Sequence, residues 1–325
     1  MTDNIKRFQE KLNAELSKMQ LGDNPKELYD PLRYTLDLGG KRMRPILAIM
    51  SYLSKKDNWE DIIRPALSIE LFHNFTLIHD DIMDEAPLRR GMPTVYKKWN
   101  KDIAVLSGDA LMILAYDLLL EAEYNDIKYL LKVFNRCALE VCEGQQMDMN
   151  FENIDVVHED EYIEMIRLKT AVLLGYSLEL GALLSGLNKE EAIHFRNFGV
   201  NIGIGFQLKD DLLDVFGDQD KFGKQVGGDI ISNKKTWLLI RALELAEGEI
   251  KMKLENLIIN PDFVPNEKVK AVKEIYTQLN IQKLAEEKMN EYFQLGFQQL
   301  EDLNTQDLNL EPLRIFTKAL IQRDH

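Results

Sequence analysis

Cysteine is nearly absent from this chain, with Cys137 and Cys142 the two present in 325 residues. Two thiols without ligand-type neighbours build neither a disulfide framework nor a zinc site, so a reduced, cytoplasmic setting is expected. Positive charge is also short: 40 Lys and Arg stand against 54 Asp and Glu, for a formal net charge of −14. A surface of that sign repels nucleic acid and anionic membranes. It leaves room for an anionic small molecule held by local cations. The N-terminal stretch MTDNIKRFQEKLNAEL has no apolar signal region. The most apolar later stretch, 170–187, is interrupted by Glu179 and reads as a buried helix. A soluble protein without membrane insertion is expected. Alternating strand patterns are lacking as well, and so is a Walker-type phosphate loop, which argues against a nucleotide kinase.

What is present is helical periodicity almost from end to end. Turn-rich breaks fall at 21–25, 38–45, 54–61, 85–93, 150–161, 216–229 and 259–267, and none resembles a long linker. We therefore expect one all-α domain over residues 1–325, although length alone suggests two. The amphipathic stretch 282–303 carries no chemical signature and reads as core and surface.

Chemistry concentrates at two helix ends. An apolar helix starting near Pro65, with Ile69, Leu71, Phe72, Phe75, Leu77 and Ile78 in its body, runs into Asp80, Asp81, Asp84 and Glu85, and Pro87 is expected to stop it. Far downstream, NIGIGFQLKDDLLDVFGD (201–218) repeats the plan with Asp210, Asp211 and Asp214 before Gly217. Carboxylates are disfavoured at the negative end of the helix dipole, and carboxylates three and four apart share a face and repel. Divalent cations remove both penalties. All-carboxylate ligands without nearby His or Cys favour Mg²⁺ or Mn²⁺ over zinc. Mg²⁺ takes one or two protein carboxylates and completes its shell with water and phosphate oxygens, so a phosphorylated substrate bridging the two clusters is expected.

Cations for the phosphates follow each cluster. GGKRMRP (39–45) sets Lys41, Arg42 and Arg44 between a glycine break and Pro45, a helix-starting residue, which suits an anion. Arg89 and Arg90 follow the first acidic cluster, Lys224 and Lys234 the second, and Lys169 lies in IRLKTA (166–171).

The motifs GGKRMRP, HDDIMDEAPLRRG, EGQQMDM (143–149), RLKT, GFQLKDDLLDVFGD and GKQVGGDIISNKKT together resemble the trans-isoprenyl diphosphate synthases, or polyprenyl synthases, over about residues 38–240. The resemblance implies the isoprenoid synthase fold, a helical bundle around a deep central cavity, usually a homodimer. It implies that an allylic diphosphate (dimethylallyl, geranyl or farnesyl) is joined head to tail to isopentenyl diphosphate after Mg²⁺-assisted ionisation, releasing pyrophosphate. Asp80, Asp84 and Asp210 then match ligands of three Mg²⁺ ions, Asp81 is placed with them as a metal ligand, and Asp81 and Asp214 complete the two motifs. Arg89, Lys169, Lys224 and Lys234 match cations for the allylic diphosphate. Gly40, Lys41, Arg44, His73 and Arg90 match the isopentenyl diphosphate site. Thr170 and Gln207 match polar groups facing the developing allylic cation. Phe75, five residues before Asp80, matches the floor that halts chain growth, and the pattern around it resembles synthases of the C20 product, with C15 next. His79, Gly144, Gln145 and Asp148 receive no catalytic task, and Arg323 resembles a tail that closes over isopentenyl diphosphate in some relatives. Two alternatives stand beside this reading: a class I terpene cyclase, whose second metal motif differs from DDLLD, and a non-catalytic subunit of a heteromeric prenyl synthase.

Overall fold

The computed structural model describes residues 2–217, 227–260, 262–303 and 307–322. In chain order its helices are α1 (Thr2–Lys18), α2 (Lys26–Asp37), α3 (Met43–Tyr52), α4 (Ile63–Met83), α5 (Val95–Lys98), α6 (Lys101–Leu120), α7 (Ile127–Phe151) and α8 (Glu159–Ile166). They continue with α9 (Val172–Leu184), α10 (Lys189–Phe216), α11 (Gly228–Ile231), α12 (Trp237–Leu245), α13 (Gly248–Ile259), α14 (Pro265–Gln278), α15 (Ile281–Glu301) and α16 (Glu311–Ile321). A π-helical segment, Arg167–Ala171, joins α8 to α9. Pro45 and Pro65 lie in the first turns of α3 and α4, where a missing N–H removes no helical bond.

Two departures from the sequence reading share one cause, backbone with positive φ. The first acidic helix ends at Met83 rather than at Pro87. Glu85 turns left-handed (φ 49°), and the N–H of Ala86 reaches back to the Asp81 carbonyl at 3.0 Å, which closes the helix four residues early. Beyond it lies a hairpin where no strand is expected, β1 (Leu88–Arg89) paired antiparallel with β2 (Met92–Pro93). Arg90 and Gly91, both with positive φ (55° and 78°), form the tight turn that matches strand twist.

The chain divides into two compact units. The first draws on 1–135, 176–196 and 304–316, and the second on 136–175, 197–303 and 317–325. In the first unit α4 is central: Leu67, Ile69, Leu71 and Phe72 are fully buried, and α6 packs along it. Phe72 meets Phe134 edge-on at 5.3 Å, and Phe134 meets Tyr176 at 5.6 Å. The second unit buries Tyr162, Ile166, Leu208, Leu238, Leu254, Ile275, Tyr276 and Ile281 in one cluster. Among the described helices α6, rather than the 170–187 stretch, is the one long and apolar enough by composition to cross a membrane.

Arg42 differs most from its sequence reading as a phosphate cation. It is buried, and its guanidinium bonds Glu70 at 2.5 Å, the Asn13 side chain at 3.0 Å and the Leu36 carbonyl at 3.0 Å. It fastens the loop before α3 to the middle of α4. Arg42→Met strands a buried carboxylate and should destabilise the protein by about 3–5 kcal/mol, whereas Arg42→Met with Glu70→Leu should recover most of that loss. Chemical denaturation of the two variants measures the difference; equal losses would remove the ion pair as the cause.

Candidate active site

In the first unit, α4 carries both His73 and, two turns further on, Asp80. Arg44 on α3 donates Nη1 to His73 Nε2 at 3.1 Å. A guanidinium only donates, so Nε2 accepts and the imidazole proton sits on Nδ1. Burial holds the His73 pKa well below the usual value, and the positive charges of Arg44, Arg90, Arg89 and Arg42 press it down further. His73 is thus a neutral ring among four guanidiniums. Arg42 binds Glu70, and Arg89 binds Asp81 through Nε (2.8 and 3.0 Å) and Nη2 (2.7 Å). Arg90 donates to the Gly39 carbonyl, a neutral acceptor, and Glu70, which is bonded to Arg42, opposes its charge at longer range. Gly40 makes this approach available. Its φ of +152° suits glycine, and a Cβ there would stand 3.2 Å from the Arg90 guanidinium. The exposed Lys41 borders the same loop. The arrangement brings GGKRMRP, His73 and the Arg90 turn together as one locally cationic patch.

The acidic residues of this unit have unequal surroundings. Asp80 is half-buried in the last turn of α4, and Asp84 is exposed at its C-cap. Asp81, 4% exposed, points to Arg89 instead. Burial pushes its carboxyl up, and the Arg89 hydrogen bond pulls it back in part. Phe75 is half-buried between the rings of Phe72 (5.6 Å) and His79 (4.7 Å), while His79 Nε2 lies 3.2 Å from the Val105 carbonyl.

In the second unit, Lys169 and Thr170 sit in the π-helical segment, a wider turn that often marks functional positions. Gly144 on α7 explains how that segment can lie so close: a Cβ there would be 2.2 Å from the Lys169 backbone nitrogen. One turn along α7, Asp148 pairs with the Lys169 ammonium. On α10 the second acidic cluster is again unequal. Asp210 is exposed, Asp211 is 3% exposed, and Asp214 is half-buried. Asp211 accepts from the Tyr162 hydroxyl at 2.5 Å and from Gln207 Nε2 at 3.3 Å. Burial pushes its carboxyl up to about 7, against the pull of the Tyr162 hydroxyl and of Lys234. Asp214 accepts from the Asp229 N–H at 3.0 Å and so anchors the start of α11. Asp229 itself is raised by burial, with Lys234 opposing and Asp214 and Asp148 adding to the rise.

Sequence reasoning quoted Asp148, Gly144 and Asp229 inside motifs without giving them work; their work depends on neighbours distant in the chain. Lys224 and Arg323 lie outside the described residues. Among the described residues, no group of three or more His, Cys, Asp or Glu side chains forms a ready cage for a metal ion. Asp80, Asp84 and Asp210 are hard oxygen donors without sulfur, and Mg²⁺ requires no more than one or two such carboxylates when phosphate completes its shell.

A sequence profile described as "Polyprenyl synthetase" matches residues 25–279. A short chain isoprenyl diphosphate synthase of Methanocaldococcus jannaschii is 40% identical over 271 residues, covering 83% of this chain and 82% of the relative. A geranylgeranyl diphosphate synthase of Methanosarcina mazei is 40% identical over 246 residues, covering 75% and 76%. A crystal structure of a geranylgeranyl pyrophosphate synthase superposes with a TM-score of 0.91 at 40% identity, covering 98% of each chain. This chain belongs to the polyprenyl synthetase family. It is a trans-prenyltransferase with the all-helical isoprenoid synthase fold, and it carries out short-chain prenyl condensation. The cyclase and non-catalytic readings are not favoured.

The neutral His73 gives this synthase a pH signature. Below the ordinary imidazole value of about 6.5 the unfolded chain binds a proton that the folded chain refuses at His73. Stability is therefore full above that pH and falls as pH drops toward the depressed folded value. Unfolding free energy measured between about pH 6.5 and 5 should slope less steeply in His73→Gln than in the parent. Equal slopes would assign the titration to other groups.

Proposed function

We propose that this prenyl synthase condenses isopentenyl diphosphate with an allylic diphosphate primer to a C20 product, with C15 next in preference. The observation that carries the proposal is α4 itself: one helix presents neutral His73 among arginines and, two turns on, Asp80. That pairs an anion site with a metal-type carboxylate at a fixed spacing.

Arg44, Arg90, Lys41, His73 and the Gly40 backbone would hold isopentenyl diphosphate. His73 keeps the Arg44 fork oriented by accepting from it, and being neutral it adds no desolvation cost of its own charge. Arg89, Lys169, Lys224 and Lys234 would hold the allylic diphosphate. Asp81 binds Arg89 along its Nε edge, and the remaining donors of that five-donor fork suit phosphate oxygens. Asp81 thereby supports an arginine rather than a metal ion. Asp80, Asp84 and Asp210 would hold Mg²⁺, with three ions expected alongside substrate. Such ions act as Lewis acids that stabilise charge on a departing diphosphate. Thr170 and Gln207 present polar oxygens toward the electron-poor allylic carbon, and no protein nucleophile is needed.

The family match runs through both compact units, which supports a single domain. Leu106, Ile113 and Leu120, exposed and seven residues apart on one face of α6, support a homodimer contact. Two cysteines with no disulfide support a cytoplasmic setting.

Asp80→Ala and Asp210→Ala should each lower turnover of the two diphosphates by about 100-fold or more while the far-UV spectrum stays unchanged. Near-normal turnover in both would defeat the metal assignment. Phe75 lies about 7.5 Å up the helix from Asp80, at about 1.5 Å per residue. Phe75→Ala should lengthen the product on reversed-phase analysis, and an unaltered product distribution would take Phe75 out of length control.

A further inference from the structure

The middle aspartate of DDLLD faces the protein. Asp211 is 3% exposed, and both of its oxygens are in use, Oδ2 by the Tyr162 hydroxyl at 2.5 Å and Oδ1 by Gln207 Nε2 at 3.3 Å. Gln207 and Asp211 are one turn apart on α10, so the contact follows from helix geometry. A side-chain amide is two-ended: its oxygen stabilises a nearby positive charge and its NH₂ end opposes it. Nothing in the amide's own shape chooses between the two ends. Here Asp211 accepts at both oxygens, from the Tyr162 hydroxyl and from Gln207 Nε2, so it makes the choice, turning the NH₂ end toward itself and the oxygen away.

We propose that Asp211 is a positioning residue for the prenyl transfer, setting the orientation of the Gln207 amide so that its oxygen meets the developing cation, and that Tyr162 anchors Asp211 for this task. The proposal rests on the synthase reading in which Gln207 faces that cation. Tyr162 is well placed as the anchor. It is 1% exposed, stands on α8, and that helix runs directly into the segment bearing Lys169 and Thr170. One buried hydroxyl thus ties α10 to the turn that carries two other site residues. Asp210, by contrast, is exposed and keeps the outward role.

Steady-state kinetics of the purified full chain with isopentenyl diphosphate, a farnesyl diphosphate primer and Mg²⁺ tests this. Asp211→Asn is isosteric and replaces one accepting oxygen with a donor. With the Tyr162 hydroxyl still donating to the remaining oxygen, the new NH₂ faces Gln207 and the Gln207 amide turns its oxygen inward. The expected result is a fall in kcat of about 10- to 100-fold, with KM for both diphosphates and the Mg²⁺ concentration for half-maximal rate held within about twofold. Adding Gln207→Glu should restore kcat by at least about tenfold over Asp211→Asn alone, because a carboxylate accepts at either end. Where Asp211→Asn fails to fold, Tyr162→Phe carries the test and should lower kcat several-fold at unchanged KM. The proposal is overturned by a kcat for Asp211→Asn (or Tyr162→Phe in its place) within about threefold of the parent, by no rescue in the double variant, or by a raised Mg²⁺ requirement, which would make Asp211 a metal ligand. The metal assignment fails separately. A normal Mg²⁺ requirement and rate in Asp210→Ala would sink that reading, while rescue by Gln207→Glu would still support the Asp211 orientation.

Discussion

Like charges brought together without a counterion are the constraint on which this structure depends. A site that is to receive diphosphate must gather cations before the anion arrives, and each cation added raises the cost of the next. The first unit meets that cost in two ways. Arg42 and Arg89 are matched internally by Glu70 and Asp81, and the ring at the centre, His73, stays neutral. Arg90 hydrogen-bonds a carbonyl and shares Glu70 with Arg42, so with three other guanidiniums around His73 the region stays locally positive. A chain with a net charge of −14 can hold such a local positive region because charge is decided over ångströms rather than over the whole surface.

The carboxylates solve the opposite problem by dividing their work. In each DDxxD stretch the middle aspartate is buried and bonded to a protein donor, Asp81 to Arg89 and Asp211 to Tyr162 and Gln207. The leading aspartate of each stretch is less buried, with Asp80 half-buried and Asp210 exposed. Two consecutive residues on a helix lie about 100° apart. When one side chain enters the core the other is turned aside, so a doubled aspartate supplies one inward group and one outward group from the same turn. The pairing of adjacent aspartates thus has a mechanical meaning beside the metal-binding one proposed for it.

Backbone irregularities place these groups. The left-handed Glu85 ends α4 just past Asp84, and the turn at Arg90 and Gly91 sends Arg90 back to the Gly39 carbonyl. The π-helical segment presents Lys169 and Thr170, and the missing side chain at Gly144 lets α7 lie against it. Each device costs some local stability, and each sits beside a residue assigned to the site.

Much of this was legible in the sequence for definite reasons. Helical period, the apolar bodies of α4 and α10, and the three- and four-residue spacing of their aspartates are local properties, because a helix fixes which residues share a face before anything packs on it. The expectation of a hard divalent cation and of a phosphorylated substrate followed from donor chemistry alone. Tertiary structure decided the partners. That Arg42 turns to Glu70 and not to a phosphate, that Asp81 serves Arg89, that Asp148 meets Lys169 and that Tyr162 meets Asp211 are contacts across 8 to 49 residues. Burial of a charge and the choice of its partner are set by what the folded chain brings alongside, and spacing along one helix carries no information about that.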